Sequence, residues 1–118
     1  MSTTGSTDAT AATPLACVPG AIPATVRDTH FQLLTRLFST AVRETRDLPD
    51  GRAYRFDADA FDDLARWITH ERRCCPFLTF TLELTPGDGA IWLRLTGPAG
   101  TPAFLDAELP AHAPSPVR

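Results

Sequence analysis

"FLTFTLELTPGDGAIWLRLT", residues 77–96, carries two alternations that must agree with each other. Leu78, Phe80, Leu82 and Leu84 alternate with Thr79, Thr81, Glu83 and Thr85, and Ile91, Leu93 and Leu95 alternate with Trp92 and Arg94. Period two is the signature of a strand with one buried face. "PGDG" between the two runs has the residues of a tight turn. A four-residue loop sets Thr85 across from Ala90. In that register both apolar faces coincide, and Arg94 falls near Thr81 and Glu83. The segment therefore predicts a β-hairpin with one greasy face, and such a face requires a second layer over it.

Upstream, "RAYRF" (52–56) alternates as a strand, with Tyr54 and Phe56 on one face. "DLPDG" before it is a turn by composition. Residues 24–46 predict a helix, with Val26, Leu34, Leu37, Phe38, Ala41 and Val42 on one side. His30 lies at that stripe, one turn from Val26 and Leu34, where a packed core histidine is the commoner role and a metal or catalytic role the rarer one. A second helix is expected over about 58–74, with Asp57 as its N-cap, acidic residues in its first turns, and Arg66, Arg72 and Arg73 later. Downstream, Thr101 as N-cap and Pro102 as first residue predict a short helix. "ACVPGAIPA" (16–24) reads as a short strand or an extended lead-in. The expected fold is α+β: a two-layer sandwich in which a small, mainly antiparallel sheet carries helices packed on one face. One domain is expected over 14–109, with flexible tails at 1–13 and 110–118.

A net charge of −3, with no basic run, argues against nucleic acid as a partner. No apolar run is long enough to cross a bilayer. The first residues lack the basic and apolar regions of a signal peptide, so a cytoplasmic location is expected, where thiols stay reduced.

Those thiols are the chemical feature of the chain. Of three cysteines, Cys74 and Cys75 are adjacent in "ERRCCPFLTF" (71–80). Proline disfavours helical geometry in the residue before it, so Pro76 ends the helix at the pair. Free cysteine packs as a small hydrophobe, and Cys75 on the apolar stripe needs no other role. Adjacent helical residues point about 100° apart, however, so core packing does not account for both thiols. Three cysteines without a CxxC make a zinc finger or a thioredoxin-type site a poor match, and a vicinal disulfide would be strained. Soft ions such as Cu(I), Hg(II), Cd(II) and As(III) accept two or three thiolates with few other demands. Cys74 and Cys75 offer two, Cys17 a third, and His70 and Glu71 are candidate assisting groups. Glu71 sits within the apolar stripe of its helix, so it needs a partner: an arginine such as Arg72, a backbone group, or the thiol site itself.

"ERRCCPFLTFTLEL" followed by "IWLRLTGPAG" resembles an uncharacterised family of small bacterial proteins with an E-R-x-C-C-P-F-L-x-F-x-L motif, a hairpin and a W-L-x-L-T-G-P-x-G segment. Members of that family carry a cysteine near the start of the domain, matched here by Cys17, although Pro19 and Gly20 depart from the pattern. The resemblance implies an association with heavy-metal resistance.

Together these readings predict a thiol protein that binds a soft metal or metalloid ion through Cys74, Cys75 and Cys17, for sequestration or transfer. Two alternatives stand beside it. One is a thiol-dependent enzyme or redox protein, with Cys74 or Cys75 as nucleophile and Glu71 or His70 as base. The other is an interaction module, with Trp92 on the polar sheet face as anchor for a partner or a homodimer.

Overall fold

The hairpin forms in the expected register. In the computed structural model, which describes residues 18–109, Leu84 pairs with Ile91, Leu82 with Leu93 and Thr81 with Arg94. The Arg94 guanidinium reaches Glu83 Oε1 at 3.1 Å. The tail readings, residues 14–16 and Cys17 lie outside the described residues.

Among the described residues, four antiparallel strands make one open sheet: β1 (Glu44–Leu48), β2 (Gly51–Phe56), β3 (Thr79–Leu84) and β4 (Ile91–Thr96), in the spatial order β1-β2-β4-β3. Three helices among the described residues accompany it: α1 (Ala24–Arg36), α2 (Phe61–Cys74) and α3 (Thr101–Glu108). The α+β two-layer reading holds. Tyr54, Phe56, Ile91, Leu93 and Leu95 from the sheet form one core with Leu33, Leu37, Phe38, Leu64, Trp67 and Leu105 from the helical side. Phe38 packs edge-on against Tyr54, Phe56 and Trp67, with ring centroids 5.0–5.9 Å apart, geometry that adds to simple area burial.

Strand β1 corrects the sequence reading, which ran the first helix to Arg46. The helix instead ends in a π-turn, Leu37–Ala41, and Val42 is extended. Val42 N–H still donates to Leu37 O, and Arg43 N–H already donates to Arg55 O at 2.7 Å. Ala41 and Val42 continue the helical stripe in sequence, so periodicity alone does not mark the exit. What marks it is the two-residue connection Pro49–Asp50, which folds β1 onto β2 with Leu48 opposite Gly51. Gly51 is required there by contact: a Cβ would lie 1.8 Å from the Leu95 carbonyl oxygen. The charged residues of β1 suit an edge strand, because they discourage further pairing. The lead-in, read as a strand or extended segment, contains a 3-10 turn at Pro19–Ala21.

Both expected N-caps also change. Asp57 precedes a 3-10 turn, Ala58–Ala60, without capping it by its side chain, because its carboxylate pairs with Arg43 at 3.0 Å. Gly100, at φ 96°, caps α3 instead of Thr101. The Thr101 hydroxyl donates to Pro98 O at 2.6 Å.

The outer sheet face is polar but well covered by its own side chains. Arg46 lies over the Trp92 ring, 4.5 Å from its centroid, and Glu44 pairs with both Arg46 and Arg55. Trp92 is thus half-buried by a cation–π neighbour. Among the described residues, no helix is long and apolar enough to cross a membrane.

Candidate functional site

Helix α2 delivers the site. Leu64 and Trp67 anchor it on the core, and the same face carries Glu71 and Cys74, all buried. The helix ends at Cys74. Cys75 leaves helical geometry at φ −119°, ψ 76°, as expected before proline. Its N–H still donates to Glu71 O at 2.8 Å, while its carbonyl receives Leu78 N–H at 3.1 Å. Across this turn the two sulfurs lie within 4.8 Å of each other.

Glu71 is 5% exposed and its carboxylate is shared between two groups. Oε1 lies 2.8 Å from His30 Nε2. Oε2 accepts from the Cys75 thiol at 3.1 Å. The arginine partner considered from sequence is not the one used, and Arg72 is exposed. His30, 41 positions away, is itself buried at 3% and rests edge-on against His70, 5.9 Å between ring centroids. Its Nδ1 has no hydrogen-bond partner among the described residues. A small hollow of about 80 Å³ lies beside it, lined by Val26, Thr29, Leu33, Arg66 and His70.

One ligand atom from each of Glu71, Cys74 and Cys75 lies within 4.8 Å of the others, and all three residues are buried. Three soft and hard donor atoms gathered this closely form a group that could hold a metal ion. Of the predicted site residues, Cys74, Cys75 and Glu71 come together. His70 stands one step back, touching His30 and outside the cluster. Cys17 is not among the described residues. The neighbouring Val18 N–H donates to Cys74 O at 2.6 Å, so the lead-in runs along the end of α2.

No family model, curated protein or solved structure matches this chain.

Two features of the site escape sequence reasoning. His30 was visible as a polar residue on an apolar stripe, but its partner was not. Ile22, wholly buried, packs in one cluster with Phe77, Cys74 and Cys75; prolines around it obscured any pattern. The thiols therefore lie inside the protein, not on its surface. Cys74 and Glu71 instead line an apolar cavity of about 240 Å³ between the helices and the sheet, with Trp67, Leu95 and Leu105 in its wall.

Proposed function

We propose that this protein binds one soft metal or metalloid ion through the Cys74 and Cys75 thiolates, with Cys17 as third ligand, and sequesters it or hands it on. The observation that carries this reading is the convergence of both sulfurs and the Glu71 carboxylate within 4.8 Å in a buried pocket. Soft thiolates select Cu(I), Hg(II), Cd(II) or As(III) over hard ions. Binding requires the thiols to ionise, so it releases protons. Glu71, already hydrogen-bonded to Cys75, is placed to take up the proton that the sulfur loses. Support for Cys17 comes from the Val18–Cys74 backbone bond, which holds the residue after it to the end of α2.

Titration of the reduced protein with Cu(I), Hg(II), Cd(II) and arsenite, followed by native mass spectrometry, tests the reading. One equivalent should bind, and Cys74→Ser with Cys75→Ser should abolish it. The absence of stoichiometric binding by any of the four, or undiminished binding by the double variant, overturns it.

A second reading, a thiol-dependent catalyst, draws on the Glu71–Cys75 hydrogen bond and the His30–Glu71 contact. They form a carboxylate relay behind a thiol, the arrangement that activates a nucleophile. A Cys75 alkylation rate that saturates well below the ordinary thiol range would favour it.

A further inference from the structure

The cavity beside the thiols has no role in binding a bare ion. Its wall is formed by Leu34 from α1, Trp67 from α2, Leu78 from the turn after it, Leu95 from β4, and Phe104 and Leu105 from α3. Cys74 and Glu71 are the groups of the ion site that line it. At its edge stand Phe31, Thr35 and Glu108, all exposed. At about 240 Å³ it exceeds the roughly 150 Å³ apolar cavity that accepts a benzene ring in an engineered protein. The Trp67 side chain is fully buried, yet its indole N–H has no acceptor among the described residues. A greasy chamber with a soft nucleophile in its wall suits a ligand that is half thiophile and half hydrocarbon.

We propose, resting on the ion-binding reading above, that the preferred ligand is a trivalent organoarsenical carrying one apolar aryl or alkyl group. Trivalent arsenic forms three bonds. Two go to Cys74 and Cys75, and the third is the carbon whose substituent fills the cavity. The exchange is balanced without redox chemistry. An aryl arsonous acid, R–As(OH)₂, exchanges two As–O bonds for two As–S bonds, and both thiol protons leave with the two oxygens as water. Arsenic stays trivalent and the As–C bond stays intact. Arsenite has no carbon and needs Cys17 or water in the third position, so it gains nothing from the cavity.

The test measures phenylarsonous acid (from phenylarsine oxide), methylarsonous acid and arsenite by competition against dithiothreitol, with tryptophan fluorescence and native mass spectrometry as readouts. The wild type should prefer phenyl over methyl by about 30-fold more than dithiothreitol does, the effect of burying the additional ring surface. Leu34→Trp, which fills the cavity from a half-buried position, should reduce that preference to about threefold or less. Cys17→Ser should weaken arsenite binding and leave phenylarsonous acid unaffected. A wild-type phenyl-to-methyl ratio equal to that of dithiothreitol overturns the proposal, whether or not Leu34→Trp folds. An unchanged preference in a folded Leu34→Trp variant does so too. If soft inorganic ions bind while the phenyl preference is missing, this inference alone falls. If neither they nor the organoarsenicals bind, the ion-binding reading falls with it.

Discussion

Cys75 donates its thiol proton to the carboxylate of Glu71, one helical turn earlier, at 3.1 Å. The bond ties the last residue before Pro76 to a charged group on the core side of α2, so the helix end and the ion site are one structure. Burial gives the contact its weight, because a carboxylate out of water must have its lone pairs satisfied.

The His30–Glu71 pair should be worth most when only one member is removed. Replacing His30 by Leu leaves the carboxylate short of a partner and should cost about 3 kcal/mol, and Glu71→Leu alone should cost a comparable amount. The double replacement should cost clearly less than the sum. Urea unfolding of the four proteins checks this, and strict additivity would show that the 2.8 Å contact carries no energy.

Ile22 should govern access to the thiols. With Cys74 at 2% and Cys75 at 0% exposure, iodoacetamide can reach them only after local opening. Ile22→Ala should cost about 2–4 kcal/mol and speed alkylation of both residues at least about tenfold, as read by peptide mass spectrometry. An unchanged rate in this variant would mean that the opening which admits the reagent does not involve Ile22.

Tyr54 should set an alkaline limit. Burial pushes its phenol up to about 12 from the ordinary 10.0. The unfolded chain loses this proton first, so stability is intact below pH 10 and declines as pH rises towards 12. The loss should reach on the order of 2–3 kcal/mol, and Tyr54→Phe should flatten it. Absorbance at the phenolate band, tracking the chain's single tyrosine, locates the transition.

At the acid end, Arg52 grips Asp106 of α3 with two hydrogen bonds and holds its carboxyl below the ordinary 3.8. A depressed carboxyl stabilises the fold above its unfolded value, and that benefit disappears as pH falls through the folded one. Asp106→Asn should therefore be the less stable protein at neutral pH and match the wild type once pH drops below the ordinary carboxylate range. Because the pair is solvent-exposed, the neutral-pH difference should stay within about 1 kcal/mol and shrink in high salt. Parallel acid unfolding curves with a constant gap would refute the linkage.

The hairpin, the second helix and the break at Pro76 were legible because each rests on near neighbours: alternation within a strand, a wheel within a helix, a ring clash with the preceding residue. Strand β1 was not, because Ala41 and Val42 satisfy helical and extended patterns equally, and pairing with β2 decided between them. Asp57 and Thr101 were suitable caps by residue type, but Arg43 drew one carboxylate away and Gly100 took the other position.

At the site, chain chemistry alone placed two thiols at a helix end and a carboxylate one turn earlier that needed a partner, since a turn of helix and a proline suffice for that. It could not reveal that His30 meets Glu71 across 41 positions, that Ile22 packs in one buried cluster with both cysteines, or that Cys74 opens on an apolar chamber. Those depend on how separate elements dock. Docking is settled by the summed burial of many side chains, and no local run of residues encodes it.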